Sequence, residues 1–397
     1  MLRAQVPSLL MNIGDTYHGG VEALYTQGEA VAAAVNALGI DVGMPGNWDY
    51  AYGHPMLVCG LTFLGADAMA SGDSAAWTSA YRSLVETQAK ALRAAGASVV
   101  VVMSELGLQK NYYLANAIAP GTVDVVFSAH THEAVFTPLT SKSGALVVEA
   151  GDDTYVGHMD IRVANGSVTS RDWTLEPVTS AIPEDPSVKA LVDAARAPFL
   201  AADPNLTIPG NTGAQYALHQ AITTVVGTTP YPLTRKNSLD SSFNKLALRT
   251  RAQTTLGMAP GFRFDSPIPT SSSLVEGSIV ADGSVTLEDA FRFFPVVYAM
   301  GTATVTGASL QTVLEGAMND VFSADVPMQG GGWLEGFAGV RATVDLAAPE
   351  GQRVQSLALP DGAALDPGTA YTIAGATPPL CEDARARGCG PPPGDRR

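Results

Sequence analysis

The sequence is poor in cysteine, with only Cys59, Cys381 and Cys389 in 397 residues. None has zinc-finger spacing, and three thiols argue against a disulfide framework as the basis of the fold. The sequence also lacks any apolar run of about 18 residues or more, so it predicts no membrane span. Stability must come from ordinary apolar cores, and a chain of this length can form two of them.

Positive charge is scarce as well. The chain has 23 Lys and Arg against 38 Asp and Glu, a net charge of −15, and it has no Lys/Arg-rich run. Nucleic-acid binding needs clustered cations that meet phosphates, so the composition argues against a nucleic-acid partner. Hydrophobic residues make up 46% of the chain and charged residues 15%, which is typical of a globular protein.

The N-terminus lacks the features of a signal peptide. Met1-Leu2-Arg3 is followed by Ala4-Gln5-Val6-Pro7 and then by core-like sequence. A secretory signal would show a separate apolar segment and a cleavage site of small residues. Two interpretations stay open: a cytoplasmic protein, or a sequence whose true start lies upstream.

An order of apolar strand, polar loop and helix repeats through roughly the first 165 residues, which predicts an α/β layered domain. The predicted strands are 8–13, 40–44, 56–64, 99–103, 123–127, 145–149 and 158–163, and the predicted helices are 27–38, 74–94 and 112–118. In such sheets, ligands bind outside the carboxyl ends of the strands. Side chains at those ends are therefore the first candidates for a site.

The pattern changes in the second half, where helices and strands mix in the manner of an α+β domain. A helical stretch at 186–200 predicts a linker helix between the two halves. Further predicted helices are 241–253, one starting at a capping box near Thr286, and 309–319, with strands at 302–306, 339–345, 353–358 and 370–374. We expect domains at 1–180 and 216–380, a linker region at 181–215, and a disordered tail at 381–397.

Predicted strand ends carry Asp15, Asn47, Glu105 and the pair His130 and His132. Carboxylate, amide and imidazole groups are suited to a pair of divalent cations, which together can clamp the oxygens of a hydrolysed group. Each motif alone has a plainer interpretation, because Gly-Asp-Thr and Gly-Asn are typical turns and His-x-His can be a surface pair. Their joint occurrence at successive strand ends favours a metal site.

These motifs resemble those of a known family. Gly14-Asp15-Thr16, Gly46-Asn47-Trp48-Asp49, Ser104-Glu105-Leu106-Gly107 and Ala129-His130-Thr131-His132 are similar to the calcineurin-like metallophosphoesterase motifs of the 5'-nucleotidase superfamily. The second half resembles the 5'-nucleotidase C-terminal domain. The resemblance implies a layered αββα metallophosphoesterase domain followed by a 5'-nucleotidase C-terminal-type domain.

One branch of that superfamily is most similar, the thiosulfohydrolases of the bacterial Sox sulfur-oxidation pathway. Trp48 stands where 5'-nucleotidases have a His, and Gly261-Phe262-Arg263-Phe264 resembles a segment of that branch. The resemblance implies a periplasmic enzyme that releases sulfate from a cysteine-bound sulfonate on a carrier protein. The alternatives are a 5'-nucleotidase that hydrolyses nucleotide phosphate esters, and an inactive homologue that has lost its metals.

The resemblance also implies roles for the candidate residues. It implies two divalent metal ions, with Mn in preference to Zn. Asp15 would bridge both ions, Asn47 and His130 would bind one of them, and His132 would bind the other. Glu105 is the fifth candidate ligand. It either binds a metal ion through oxygen, which favours Mn or Mg, or is a plain surface residue.

Two further residues are predicted to contact the substrate. Arg263 would be a catalytic and substrate-binding residue from the second domain, because a planar guanidinium suits an anionic sulfonate or phosphate. A structural salt bridge is the alternative role for Arg263. Trp48 would bind the substrate beside the metal ions.

Some features depart from the family pattern. The opening Asp-x-His motif of the family has no counterpart upstream of residue 8, and Glu105 replaces a His ligand. A stretch that the family has after its second motif is missing beyond His54, and the sequence after Thr377 is unlike the family. We therefore expect a sequence truncated at its N-terminus with an unrelated tail.

Overall fold

The computed structural model describes the positions 7–17, 19–46, 49, 73–151, 155–209, 215–230, 263–265, 283–293, 299–329 and 336–377. The predicted strand 56–64, the predicted helix 241–253 and the predicted tail lie outside these positions. Over the described part, none of the helices is both long enough and apolar enough to cross a membrane. The architecture combines helices with mostly parallel strands in the first half and antiparallel strand pairs in the second, as the fold class predicted.

The N-terminal segment forms a short parallel pair of strands, β1 (Met11–Asn12) and β2 (Val42–Gly43). Two helices connect them, α1 (Val21–Thr26) and α2 (Glu29–Ala37). Helix α2 ends where predicted, because Gly39 adopts the left-handed conformation that closes helices, with φ at 65°. The sequence did not predict α1, whose few residues are helical in a context where Val21 is fully buried.

A four-stranded sheet forms the centre of the first half. Its elements are α3 (Ser74–Ala94), β3 (Val101–Ser104), α4 (Leu108–Ala117), β4 (Val125–Ser128), β5 (Leu139–Thr140) and β6 (Leu146–Glu149). The strand order is β3-β4-β6-β5, parallel except for β5. Helix α3 matches its predicted bounds and is capped at its N-terminus by Asp73, whose side chain accepts a hydrogen bond from the Ala76 amide.

The core of this sheet lies between its strands and helices α3 and α4. Its fully or nearly fully buried members are Ala89, Val100, Ala115, Ile118, Val123, Val126, Ala145 and Val147. Continuous β-branched runs produce this core, because parallel strands are covered on both faces. The carboxyl ends of β3, β4 and β6 therefore meet at one edge.

The register at that edge is specific. Ser104 of β3 lies opposite Ser128 of β4, and Ser128 lies opposite Glu149 of β6. The loops that follow β3 and β4 carry Glu105 and the two histidines. This alignment brings the loops predicted to bind metal to a common position.

A long hairpin follows, made of β7 (Tyr155–Ala164) and β8 (Ser167–Pro177). Its turn uses Asn165 and Gly166 with φ at 53° and 73°, the conformation that two-residue hairpin turns require. The sequence predicted β7 but not β8. Helix α5 (Pro186–Arg196) comes next and is capped by Asp185, and a 3-10 turn, Ala197–Phe199, extends it over the predicted span.

At its described positions, the second half consists of antiparallel strand pairs and two α-helices. They are β9 (Asp203–Pro209), β10 (Gln215–Leu218), β11 (Val225–Thr228), β12 (Arg263–Asp265), β13 (Ser284–Thr286), α6 (Leu287–Phe293), β14 (Ala299–Thr306), α7 (Gly307–Phe322), β15 (Gly336–Ala338), β16 (Arg341–Val344), β17 (Val354–Ala358) and β18 (Ala370–Thr377). The pairs are β9 with β10, β11 with β13, β12 with β15, β14 with β18, and β16 with β17. The predicted helix 309–319 and the four predicted strands correspond to α7, β14, β16, β17 and β18.

Arg196 at the end of α5 joins the two halves. Its guanidinium donates two hydrogen bonds to the Glu288 carboxylate, at 2.6 and 2.9 Å, and lies 3.2 Å from the Glu22 carboxylate. The hydrogen bond from Arg196 is the largest cause that lowers the pKa of Glu288, and the same bond raises the pKa of Arg196. Helices α1, α5 and α6 are thereby linked by charge, and we call this group the Arg196 clasp.

Candidate functional site

A cavity of about 990 Å³ opens at the carboxyl edge of the sheet. Asp15, Glu105, His130 and His132 all line it. The loop after β1 supplies Asp15, the loop after β3 supplies Glu105, and the loop after β4 supplies both histidines. Four of the five predicted metal ligands therefore share one space.

The four side chains form two pairs. Nε2 of His132 lies 3.7 Å from Oδ2 of Asp15, and both side chains are largely buried. Nδ1 of His130 lies 3.8 Å from Oε1 of Glu105, and the ring of His130 is more exposed, at 27%. These separations are longer than a direct hydrogen bond. Two donor atoms that share one ion at about 2.1 Å lie roughly 3.0–3.7 Å apart, close to both pairs.

Backbone strain marks the same residues. Asp15, His130 and His132 have φ angles of 54°, 83° and 54°, in the left-handed region that L-residues rarely adopt. The other described non-glycine residues in this region have ordinary explanations, since Gln27 ends helix α1 and Asn165 lies in a hairpin turn. Such strain costs about 1–3 kcal/mol per residue and clusters at functional sites.

Asp49 holds the Asp15 loop in place. One carboxylate oxygen of Asp49 accepts hydrogen bonds from the amides of Thr16 and Tyr17, at 2.7 and 2.9 Å, and the other accepts one from the Gly46 amide at 2.9 Å. Asp49 is only 4% exposed. The sequence placed Asp49 in the second motif without a role, and its contacts now give it one.

Glycine is also required where the Asp15 loop crosses the loop at Gly46. Gly14 has φ at 89°, and a side chain at Gly14 would overlap the backbone of Gly46 and Pro45. A side chain at Gly46 would in turn overlap Asp15. The two glycines let the loops touch, which fixes the position of the Asp15 carboxylate.

The donor set fits divalent cations in type. Carboxylate oxygens and imidazole nitrogens are the ligands of Zn and Mn sites in proteins. Within the described residues, however, no group of three or more His, Cys, Asp or Glu side chains is arranged to hold an ion. Each pair thus supplies two donors, and a complete coordination shell needs more from other groups or from water.

The remaining predicted residues are placed less completely. Asn47 and Trp48 lie outside the described residues. Arg263 is described by its backbone alone, in β12, where it lies opposite Ala338 of β15. Its catalytic and substrate-binding role, like those of Asn47 and Trp48, stays a prediction.

The sequence missed two acidic residues of the site. Asp49 and Glu149 are both buried, and Glu149 ends strand β6 beside the loop of the two histidines. The available signal for Glu149 was its place at the end of a third parallel strand, in register with Ser128. That register follows from strand pairing, which the sequence does not state.

Comparison with known proteins finds a sequence match for the second half of the chain and a structural likeness for most of it. Residues 204–377 match the model of the 5'-nucleotidase C-terminal domain. The solved structure of the sulfate thiohydrolase SoxB of Thermus thermophilus aligns over 93% of this chain and 70% of its own, with a TM-score of 0.73 and 21% identity. No curated protein matches by sequence.

Over residues 204–377 the chain thus resembles the 5'-nucleotidase C-terminal domain, and over most of its length it shares its fold with SoxB. A second solved structure, a 5'-nucleotidase precursor that is also from Thermus thermophilus, aligns over 75% of this chain and 57% of its own, with a TM-score of 0.55 and 17% identity. At these identities the structural likeness establishes the fold. The predicted fold class, a metallophosphoesterase-type α/β part followed by a 5'-nucleotidase C-terminal-type part, is thereby confirmed.

Proposed function

We propose that this protein is a metal-dependent hydrolase of the thiosulfohydrolase type, which releases sulfate from a cysteine-bound sulfonate on a carrier protein. The observation that supports it most is the convergence of two carboxylate–imidazole pairs, Asp15 with His132 and Glu105 with His130, in one cavity. The periplasm is the compartment that this proposal implies.

Each pair would hold one divalent cation, Mn in preference to Zn. When bound, the cations supply a Lewis acid for an anionic oxygen of the substrate. The chain contributes the positions of the donors: Asp15 and His132 are buried, and the His130 ring faces the cavity with more exposure. Asn47 would add an amide oxygen to one cation.

Arg263 would bind the anionic oxygens of the substrate from the second domain. A guanidinium can donate two parallel hydrogen bonds to a sulfonate or phosphate, which orients the group as well as neutralising it. Trp48 would contact the substrate beside the metal ions. The resemblance of the segments around both residues to thiosulfohydrolases supports this assignment.

A nucleotidase is the second candidate. It is favoured by the match of residues 204–377 to the 5'-nucleotidase C-terminal domain. The two functions share the proposed metal pair and differ in the group attacked, sulfur in one case and phosphorus in the other. The same purified protein can therefore be used to decide between them.

The test is hydrolysis by the Mn-loaded protein of two substrates, a peptide carrying a cysteine-bound thiosulfonate and a nucleoside 5'-monophosphate. Sulfate release from the peptide supports the proposal, and phosphate release alone replaces it with the nucleotidase. Release of neither product, in a folded and Mn-loaded protein, overturns both.

The variants Asp15→Asn and His132→Gln test the residues themselves. Each removes a proposed ligand, so we expect activity to fall by about 100-fold or more and Mn affinity to fall with it. His219→Gln is the matched control, because His219 is an exposed histidine after β10, outside the cavity lining. Full activity in both ligand variants would contradict the assigned site.

A further inference from the structure

Glu149 is a buried carboxylate that the proposed chemistry does not use. It is 2% exposed and ends strand β6, next to the loop that carries His130 and His132. A buried carboxylate is costly unless it is well bonded, so its contacts indicate what it does. Those contacts lead to the histidine loop.

Both oxygens of Glu149 accept hydrogen bonds. Oε2 accepts one from the Ser128 hydroxyl at 2.6 Å, and Oε1 accepts one from the Glu133 amide at 2.9 Å. The Thr131 hydroxyl lies 3.2 Å from each oxygen. The Glu149 carboxylate thus binds residues before, between and after the two histidines.

The network continues into helix α4. The Thr131 hydroxyl accepts a hydrogen bond from the Leu108 amide at 2.9 Å, so this hydroxyl has its proton available for Glu149. The Asn111 side chain donates to the Ser128 hydroxyl at 2.9 Å and to the Ser104 carbonyl at 3.2 Å. Glu149 is therefore the common acceptor of groups that belong to β4, the histidine loop and, through them, α4.

We infer that Glu149 is a positioning residue that holds His130 and His132 in their left-handed backbone conformations. A metal-ligand role for Glu149 is disfavoured, because its two oxygens already accept hydrogen bonds from Ser128, Thr131 and Glu133. Strained conformations persist only where surrounding contacts determine them, and Glu149 supplies contacts to the residue between the histidines and to the residue after them.

This inference rests on the proposed metal site, because its effect would be read as metal affinity. Partners that orient metal ligands change metal affinity or activity by about 10–100-fold when they are replaced. Most act by a hydrogen bond to the ring of the ligand. Glu149 would act instead through Thr131 and the loop backbone, and so would affect both histidines together.

The experiment is a Co²⁺ titration of the parent protein and of Glu149→Gln, followed by the visible absorption of the bound cobalt. Glutamine keeps the shape but replaces one acceptor oxygen with a donor group. We expect Co²⁺ affinity to fall about 10–100-fold and the absorption bands to change, because the donors no longer sit in the same geometry. Glu176→Gln, which removes the same charge from an exposed position in β8, is expected to match the parent.

A second pair of variants keeps the test decisive if Glu149→Gln folds poorly. Thr131→Ser retains the hydroxyl that donates a hydrogen bond to Glu149. Thr131→Val retains the shape of the side chain but has no hydroxyl. We expect the serine variant to bind cobalt like the parent and the valine variant to behave like Glu149→Gln. A merely structural role would lower thermal stability in these variants and leave the cobalt spectrum unchanged.

The outcomes separate the two ideas. If the parent binds cobalt and both Glu149→Gln and Thr131→Val bind it with the same affinity and spectrum, this inference is wrong while the metal site stands. If the folded parent binds no cobalt, the proposed metal site is wrong and the inference falls with it.

Discussion

The two loops that bring ligands to the cavity are held in the same way but supported differently. In each loop a backbone amide donates a hydrogen bond to a buried carboxylate, Asp49 for the Asp15 loop and Glu149 for the histidine loop. The histidine loop follows a strand in the middle of a four-stranded sheet, whereas the Asp15 loop follows the two-residue pair β1 and β2. The Asp15 loop therefore depends more on local contacts, and the histidine loop more on the sheet.

The largest expected effect comes from the loop crossing at Gly14. Gly14→Ala combines a left-handed backbone with overlap onto the backbone of Gly46. Gly144→Ala is the matched control, because Gly144 has φ at 88°, within a degree of Gly14, and open space around it. We expect Gly14→Ala to lower the free energy of unfolding by at least about 2 kcal/mol more than Gly144→Ala, measured by urea denaturation. If both variants lose the same free energy of unfolding, the Asp15 loop can shift to accommodate the added methyl group.

Asp49→Asn is expected to have a smaller effect. Asparagine keeps one acceptor oxygen and loses the charge that receives three backbone amides, so the free energy of unfolding should fall by about 1–3 kcal/mol. Combining it with Glu149→Gln sharpens the comparison. If each carboxylate secures its own loop, the losses in the metal-free protein should add to within about 0.5 kcal/mol.

Metal binding should not show the same additivity. His132 and Asp15 face each other across 3.7 Å, so a cation between them would depend on both loops at once. We expect the double variant to lose less cobalt affinity than the sum of its single variants, because either displaced loop already breaks the pair. Strict additivity in both measurements would mean that the loops do not share an ion.

The smallest effect on the free energy of unfolding is expected at the Arg196 clasp. The clasp belongs to neither the Asp15 loop nor the histidine loop, so it serves as a reference for both. The pKa of Glu288 in the folded state is below its ordinary value, chiefly through the hydrogen bond from Arg196. Its stabilisation is therefore present above the unfolded pKa of about 4.3 and lost as pH falls through the lowered folded value. Glu288→Gln should cost about 1 kcal/mol at pH 7 and progressively less in acid, with cobalt affinity unchanged.

Sequence reasoning predicted the elements that carry strong local signals. Helix α3 has a capping Asp73 and good helix formers, and its bounds were predicted as found. Helix α1 and strand β8 were missed for different reasons. Helix α1 is too short to be stable by propensity and is buried against other elements. Strand β8 contains the adjacent charged residues Arg171 and Asp172, which interrupt the alternation that indicates a strand.

The sequence predicted which loops carry the candidate ligands, but it did not predict how those ligands pair. Polar residues at strand ends pointed to Asp15, Glu105, His130 and His132, and the structure brings all four to one cavity. Which histidine faces which carboxylate depends on the sign of φ and on strand register, neither of which a motif states. Glu149 escaped notice because acidic side chains are usually exposed, so an isolated Glu in a strand carries no signal of burial.

The alignment of Ser104, Ser128 and Glu149 has a consequence for how this protein can change in evolution. Side chains alternate between the faces of a strand, so deletion of a single residue within Val125–Ser128 would turn Ser128 to the opposite face and carry the histidine loop with it. Lineages of this chain should therefore keep the residue count of β3, β4 and β6 constant.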